Sequence, residues 1–238
     1  MRLIWLHPRR VVEALALEEA ILRLRLENGL PDTLCFWRGR KCVVMGYNPN
    51  RDRVDLELCR GLGIPICRRH SGGGAIYQDS GNLNYSLIAA QDGLGLPRDV
   101  QRARRIIDSL VAGAISSLGL RANPMRGGGV DIGGKKVSGS AQFVLWGCLL
   151  HHGVIAVSTD LELVGKLFPN GGEVTNIKQE FGRRIDIKML GQIIAEKLAR
   201  GLDAELEVGS LTQAEASLAH DLLREKYLSE EWNNWRCA

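Results

Sequence analysis

Apolar residues recur every three or four positions along several stretches of the chain, with charged residues between them. This spacing predicts amphipathic helices. The first covers residues 11–26 and ends near Gly29, which can adopt the left-handed backbone typical of a helix end. Another covers residues 160–168, with Thr159 or Asp160 as its cap. The same pattern predicts helices over residues 54–62, 99–118, 186–200 and 212–227.

Shorter apolar runs bounded by turn-forming residues predict strands. Residues 34–37 and 42–45 flank a polar tetrapeptide, and this arrangement predicts a hairpin. The remaining strands are expected over residues 64–67, 75–77, 83–89, 127–132, 136–143 and 148–158. No repeat or linker interrupts the pattern. The sequence therefore predicts one α/β (α+β) domain over residues 1–238, with mixed, largely antiparallel sheets packed with helices.

Composition and charge narrow the class of protein. The chain has 238 residues, of which 45% are hydrophobic and 24% charged, as in soluble globular proteins. Its net charge of +4 comes without any block of basic residues, so nucleic acid is not an expected partner. No apolar run is long enough to span a membrane, and Arg9 and Arg10 interrupt any signal-like stretch. We expect a cytoplasmic protein that does not bind membranes.

The cysteines indicate neither a zinc site nor a redox motif, because no two of them form a CxxC pair. Most lie in apolar runs, where cysteine behaves as a small core residue. The six are Cys35, Cys42, Cys59, Cys67, Cys148 and Cys237.

A run of three glycines, residues 72–74, follows the predicted strand at residues 64–67. Such a run loses much backbone entropy on folding, which suits a place where the backbone approaches a ligand closely. Its bare amides can donate to a carboxylate or phosphate, and Arg69 can grip an anion with its planar guanidinium. Taken alone, the run is equally typical of a flexible surface turn. It matches neither GxxxxGK[ST] nor GxGxxG.

Two further segments carry candidate chemistry. Lys136 begins a predicted strand rich in small residues, from which its ammonium can reach a reacting phosphate or carboxylate. The alternative is a solvated hairpin tip. His151 and His152 lie inside an apolar strand and must point to opposite faces, so they cannot bind one metal ion together.

Four segments together resemble the lipoate–protein ligase A family, within the biotin and lipoate ligase superfamily. They are an arginine pair before Ser-Gly-Gly-Gly-Ala (residues 68–75, continuing to Gly81-Asn82), Lys-Val-Ser-Gly-Ser-Ala (136–141), His-His-Gly (151–153) and Val-Thr-Asn (174–176). The resemblance implies a biotin/lipoate ligase-like catalytic domain, similar to class II synthetases. It also implies that ATP activates lipoate or octanoate to an acyl-adenylate. The acyl group then passes to a lysine of a lipoyl domain or a glycine-cleavage H-like protein.

The resemblance also implies residue roles. Lys136 corresponds to the essential lysine that contacts the carboxylate and the α-phosphate. The anion cradle comprises Arg69, Ser71, Gly72, Gly73, Gly74 and Ala75. Gln78 and Asn82 lie on the nucleotide side, and Val43, Met45 and Tyr77 hold the aliphatic chain. Other residues implied to line the acyl-adenylate pocket are Ser138, Gly139, Ala141, His152 and Gly153.

Two departures from the family pattern stand out. The family carries Asn-Asp shortly before the lysine segment, whereas here the stretch is Gly127-Gly128-Gly129-Val130-Asp131. Asp131 is the candidate metal contact, although Mg²⁺ is expected to arrive bound to ATP. The chain also ends before the C-terminal accessory domain of larger ligases. A small separate accessory subunit is therefore an expected partner.

Three alternatives remain open. An octanoyltransferase needs a nucleophilic cysteine. The two places where relatives carry it read Pro169-Asn170-Gly171 and Pro124-Met125-Arg126, which disfavours this chemistry. A biotin ligase is less consistent with the arginine-glycine segment. A non-catalytic acyl- or adenylate-binding relative is the third, because the Asn-Asp pair is absent.

Overall fold

The computed structural model describes residues 1–48 and 54–233. Eleven strands occur in this part of the chain. They are β1 (Arg2–Trp5), β2 (Thr33–Trp37), β3 (Cys42–Met45), β4 (Ile66–Arg68), β5 (Ile76–Gln78), β6 (Asn82–Ala90), β7 (Ala122–Pro124), β8 (Val130–Ile132), β9 (Lys135–Leu145), β10 (Cys148–Ala156) and β11 (Glu207–Val208).

The helices of the described part lie before, between and after these strands. They are α1 (Val11–Asn28), α2 (Leu56–Gly61), α3 (Val100–Ser116), α4 (Leu161–Leu167), α5 (Ile177–Phe181), α6 (Ile187–Gly201), α7 (Gln213–Leu222) and α8 (Glu230–Asn233). A 3₁₀ turn covers Asp92–Leu94, and a π-helical turn, Leu223–Tyr227, follows α7. Within these residues no helix is both long and apolar enough to cross a membrane.

The strands form two sheets. The larger has eight strands in the order β11-β1-β2-β6-β10-β9-β8-β7, and the smaller has three in the order β4-β3-β5. In the larger sheet β1 is parallel to both β2 and β11, and the other neighbours are antiparallel. The prediction of mixed, largely antiparallel sheets packed with helices is therefore confirmed.

Both faces of the larger sheet are covered, so its central strands β6 and β10 are buried along almost their whole length. Adjacent residues of one strand point to opposite faces. Leu87 accordingly belongs to a core with α3 and α6, whereas Ile88 belongs to a core with α1 and α7. The same division separates Leu149 from Leu150 on β10.

The predicted hairpin between β2 and β3 is wrong. β2 pairs with β1 and β6 in the larger sheet, whereas β3 pairs with β4 and β5 in the smaller one. The polar tetrapeptide between them is a crossover between sheets and not a reversal. Every residue of both strands is buried, whereas a hairpin on one sheet commonly leaves one face to solvent.

The cap predicted for α4 is confirmed, and two further helices begin at caps of the same kind. Asp160, Asp186 and Thr212 each accept a hydrogen bond from a backbone N–H of the first turn of α4, α6 and α7. The last predicted helix differs, because α7 ends at Leu222 and the π-helical turn replaces its final residues. Strands β1, β7 and β11 were not predicted, since two to four residues carry too little pattern.

Candidate active site

The glycine-rich loop curls around the guanidinium of Arg69. Arg69 Nη2 donates to the carbonyl oxygens of Gly72 (2.6 Å) and Gly74 (2.8 Å), and its Nε donates to Ser71 Oγ (3.0 Å). Its Nη1 donates to Val44 O on β3 at 3.3 Å. Arg69, expected to grip an anion, is thus the residue that shapes the loop. It also lines the cavity beside the loop.

The loop packs directly on the backbone at the end of β3. A Cβ atom at Gly46 would lie 1.9 Å from Gly73 O, far inside the contact distance. Gly73 itself has φ +92, a conformation that glycine adopts without strain. The loop above Gly46 therefore requires glycine at this position, which no sequence motif marks.

A buried carboxylate from α1 supports the same loop. Glu18 is 2% exposed, and its Oε2 lies 2.7 Å from His152 Nδ1. Its Oε1 accepts from Ser86 Oγ (2.5 Å) and Trp37 Nε1 (3.1 Å). All the partners of Glu18 in this set act as donors, as an ionised carboxylate requires.

His152 links Glu18 to the glycine-rich loop by hydrogen bonds. Its Nε2 lies 2.6 Å from the hydroxyl oxygen of Ser71. Nδ1–H of His152 donates to the Glu18 carboxylate, Nε2 shares a hydrogen bond with the Ser71 hydroxyl, and Ser71 Oγ in turn accepts from Arg69 Nε. Four residues distant in sequence thus form one hydrogen-bonded chain. The only signal of Glu18 in the sequence is a Glu-Glu pair inside an otherwise apolar helical stretch.

Lys136 stands near the start of β9, held on both sides by backbone hydrogen bonds. Its N–H donates to Glu173 O and its carbonyl accepts from Thr175 N, both at 2.9 Å. Its Nζ lies 3.3 Å from the position that a Cβ of Gly139 would take, so the side chain runs along its own strand. Burial and the nearby Arg69 charge lower the pKa of Lys136, and the carboxylate of Asp108 opposes this.

Two cavities adjoin at Lys136. The larger has a volume of about 300 Å³ and the smaller about 170 Å³. Both are lined by Ala75, Ile76, Lys136, Gly139 and Val154. Of the other predicted residues, the larger cavity is lined by Arg69, Gly72, Gly73, Gly74, Gln78, Ala141, His152 and Gly153. The smaller is lined by Tyr77, Asn82 and Ser138.

Some predicted residues lie elsewhere than expected. Ser71 is fully buried and touches His152 behind the cavity wall. Gln78, expected beside Asn82, instead hydrogen-bonds Asn84 and faces the larger cavity. Val43 and Met45 belong to a separate apolar cluster, whereas their neighbour Val44 lines the larger cavity. Alternate residues of β3 thus face opposite sides, and the sequence alone does not show which side faces the cavity.

Three residues that line the smaller cavity have buried hydroxyl groups with no hydrogen-bond partner among the described residues. They are Tyr77, Ser138 and Thr159, each at most 5% exposed. Burying a hydroxyl without a partner costs free energy. The cavity is therefore suited to a ligand that supplies polar atoms as well as an apolar surface.

His151 points away from both cavities, as the strand alternation predicted. Its Nε2 lies 3.2 Å from Tyr85 OH and 3.7 Å from Asp108 Oδ1. Asp108 Oδ2 accepts from Gly129 N and Ser140 Oγ, both at 3.0 Å. Burial raises the pKa of Asp108 to about 6 and lowers that of His151 to about 3. This buried cluster ties α3 to the glycine segment 127–129.

Asp131 lies at the β8–β9 turn, where its Oδ1 accepts from Gly134 N at 3.1 Å. Within residues 1–48 and 54–233, no group of three His, Cys, Asp or Glu side chains is placed to hold a metal ion. A metal that enters with a triphosphate needs no such cage.

The cysteines of the described part are buried free thiols at positions 35, 42, 59, 67 and 148. Burial raises the pKa of the Cys35 and Cys148 thiols, which disfavours the nucleophilic thiolate. None of the described residues lining the two cavities is a cysteine. Cys237 lies outside the described residues.

A comparison with protein families decides the membership of the chain. Residues 10–199 match the model of the lipoyl protein ligase A/B catalytic domain. The chain belongs to this family. The resemblance drawn from the four sequence segments is therefore confirmed.

The curated relatives of this chain include proteins with two different activities. It is 30% identical to lipoate-protein ligase A subunit 1 of Thermoplasma acidophilum, over 95% of this chain and 93% of that protein. It is also 28% identical to the octanoyltransferase LipM of Brevibacillus brevis, over 92% of this chain and 93% of that protein. Membership thus covers two activities, both of them enzymatic.

The solved structures agree with this placement. A putative lipoate protein ligase from T. acidophilum with bound lipoic acid has a TM-score of 0.86 at 29% identity, covering 98% of both chains. A bipartite lipoate protein ligase of the same organism, described with its E2 lipoyl domain, has 0.86 at 28%, covering 98% and 95%. A lipoate-protein ligase A bound with ATP gives the same score and identity, covering 98% and 97%.

Proposed function

We propose that this protein is a lipoate–protein ligase that activates lipoate or octanoate with ATP and transfers the acyl group to a lysine of an acceptor protein. The observation that carries the proposal is the position of Lys136. It lies where the two cavities adjoin and lines both of them. One cation thus faces the place where two bound substrates meet.

In this proposal the two cavities hold the two substrates. The acyl chain occupies the larger cavity, where Leu15, Val44 and Val154 supply apolar surface. The nucleoside occupies the smaller one. Three of its lining residues, Tyr77, Ser138 and Thr159, have hydroxyl groups without a hydrogen-bond partner among the described residues. The similar structures with bound lipoic acid and with bound ATP support a site for each class of ligand.

The first step joins the substrates. A carboxylate oxygen of the acid attacks the α-phosphorus of ATP, a bond to the acid forms, and the bond to the pyrophosphate breaks. Negative charge increases around the phosphorus as this happens, and the ammonium of Lys136 stabilises it. Magnesium belongs to the triphosphate as part of the substrate.

In the second step the neutral amine of an acceptor lysine attacks the acyl carbon. The amide bond forms, AMP leaves with the electron pair of the broken bond, and the amine loses a proton to solvent. Enclosure protects the mixed anhydride from water. The proposed acceptor is a lipoyl domain or an H-like protein, and the relative named as a subunit supports a separate accessory subunit.

We place the reaction in the cytoplasm, where ATP is available and where free thiols such as those of the described cysteines persist. The decisive test is lipoate-dependent exchange of labelled pyrophosphate into ATP by the purified chain, with and without a candidate accessory subunit. Exchange that requires lipoate supports the ligase. Its absence under both conditions, with octanoate also tried, contradicts the proposal.

A second candidate is an octanoyltransferase that takes the acyl group from a carrier-protein thioester without ATP. The similarity to LipM favours it, and the cavities without cysteine count against it. Incubation with an octanoyl carrier protein and an acceptor domain, without ATP, separates the two. Octanoyl transfer that occurs without ATP, and that is abolished when the thiols of the chain are alkylated, would establish the transferase.

A further inference from the structure

The C-terminal segment, residues 213–233, packs beside the residues that lead into the glycine run. It consists of α7, the π-helical turn and α8, and it lies beyond residues 10–199, where the family match ends. No sequence motif places this segment at the site. Its contacts with residues 68–70 nevertheless show that it helps to hold the glycine-rich loop.

The first contact closes the edge of the smaller sheet. β4 is an edge strand, and its last residue, Arg68, has both backbone polar groups bound by α8. Arg68 N donates to Asn233 Oδ1 at 3.0 Å, and Trp232 Nε1 donates to Arg68 O at 2.9 Å. Asn233 is itself held, because its Nδ2 donates to Tyr227 O at 2.9 Å. The segment thus occupies the position of a further strand, next to Arg69.

The second contact reaches into the loop. Lys226 Nζ lies 2.7 Å from His70 Nδ1 and 2.7 Å from Glu19 Oε2. Glu19 is 1% exposed, and its Oε2 also accepts from Tyr227 OH at 2.6 Å. An ammonium only donates, so His70 Nδ1 must accept. Lys226 therefore bridges a buried carboxylate of α1 to a loop imidazole.

Burial keeps the imidazole of His70 neutral, and the neighbouring cations add to this effect. Burial lowers the pKa of His70 to about 4. Glu19 on α1 opposes this, whereas the charges of Lys226, Arg23 and His152 lower the pKa further. At neutral pH the lone pair on Nδ1 is therefore available for Lys226. The indole of Trp232 lies under the same ammonium, with Nζ 4.0 Å from its ring centre.

We propose that Lys226 is a positioning residue for the glycine-rich loop. Its ammonium fixes His70, the residue between Arg69 and Ser71, and so holds these two neighbours where they form the hydrogen bonds that shape the loop. The C-terminal segment is then part of the construction of the site. The catalytic consequence rests on the proposed function, whereas the geometric consequence does not.

The test uses three variants of the full chain. Lys226→Met removes the ammonium and keeps the apolar stem, Lys226→Arg restores a cation, and Arg224→Met changes an exposed residue of the same π-helical turn. Amide hydrogen exchange is measured over residues 69–74, with Leu87 and Leu150 of the buried sheet as internal references.

In Lys226→Met we expect loop exchange to rise about tenfold, the change expected from losing one charge-assisted hydrogen bond. The reference amides stay unchanged, Lys226→Arg restores most of the protection, and Arg224→Met has no effect. In the same variant the pKa of His70, followed by NMR, rises from about 4 toward its ordinary value of about 6.5, because a neighbouring cation is gone.

Pyrophosphate exchange adds a kinetic readout. We expect KM for lipoate to rise about tenfold in Lys226→Met and kcat to change less than about threefold, because the loop binds and does not react. A wild-type chain without exchange activity, with and without the accessory subunit and with either acid, would contradict the proposed function and leave the loop measurements to decide this proposal. Unchanged loop exchange and an unchanged His70 titration in Lys226→Met would overturn it.

If Lys226→Met does not fold, Lys226→Gln provides the same decision. It keeps a polar side chain in the same turn but removes the charge and shortens the reach to His70 Nδ1. Loop exchange about threefold faster supports the proposal, since a neutral hydrogen bond is weaker than a charged one. Exchange equal to that of the wild type contradicts it.

Discussion

Glu18 and Glu19 are consecutive residues of α1, yet their carboxylates support different residues of the glycine-rich loop. Glu18 reaches Ser71 through His152, whereas Glu19 reaches His70 through Lys226. Neighbouring side chains of a helix diverge by about 100°, so one short stretch of α1 can serve two separate chains of hydrogen bonds. The loop is thus fixed at two successive positions.

Glu18→Gln should destabilise the fold. The amide keeps one acceptor oxygen but places an NH₂ group where Glu18 now accepts from Trp37, Ser86 or His152. Leaving buried donors unpaired costs about 1–3 kcal/mol, measured as the free energy of unfolding in urea. Glu27→Gln, an exposed position of the same helix, should change it by less than about 0.5 kcal/mol. Equal effects of the two substitutions would contradict this account.

Lys136→Met should abolish most of the acid-dependent pyrophosphate exchange, lowering kcat by about 10²–10³, since the variant loses the cation at the junction of the cavities. The matched control is Lys135→Met. Lys135 is partly exposed and lies 3.5 Å from Glu180, outside both cavities. It should retain nearly full activity. Exchange that persists in a folded Lys136→Met protein would refute the assigned role.

Gly46→Ala should displace the glycine-rich loop. The added methyl would lie 1.9 Å from Gly73 O, so the loop backbone must move. A shift of about 1 Å at a binding site can cost about 10²-fold in kcat/KM. Gly61→Ala, at the end of α2, meets no atom within 4 Å and should be silent. Steady-state kinetics and thermal unfolding of both variants test this expectation, and normal kinetics for Gly46→Ala would disprove it.

Asp108→Asn should gain stability relative to the wild type as pH rises. Because burial raises the pKa of Asp108 to about 6, the folded state binds its proton more tightly than the unfolded state does. The stabilisation from this proton is complete below the unfolded pKa of about 3.9 and is lost as pH rises through about 6. The asparagine variant lacks this loss.

Urea unfolding at pH 4.5 and pH 8 measures the effect. From pH 4.5 to pH 8, the unfolding free energy of Asp108→Asn should increase by about 2 kcal/mol relative to that of the wild type. Comparing the variant with the wild type at each pH cancels the titration of other groups to first order. Ser109→Ala, at an exposed position of the same helix, changes no ionisable group, serves as the control and should show no such trend. A constant difference for Asp108→Asn would contradict the raised pKa.

Much of the secondary structure followed from the sequence because it depends on local spacing. The 3.6-residue period marked α1, α3 and α6, and the short polar residues Thr159 and Asp160 marked the start of α4. The order of four short segments indicated the family, since each carries a backbone or charge requirement of its own. The alternation along β10 also separated His151 from His152 before any contact was known.

Only the tertiary structure decided how these pieces meet. Whether β2 and β3 pair depends on strands far along the chain, so local pattern placed them in one hairpin when they belong to two sheets. The partners of Glu18 and Glu19 lie up to 208 residues away. Apart from the Glu-Glu pair itself, hydrogen bonds of this range leave no local trace, because the sequence pattern does not show which partners a buried carboxylate has. Sequence alone thus determined which residues have the chemistry for anion binding and catalysis. The packing of α1 and the C-terminal segment decided which side chains hold the loop.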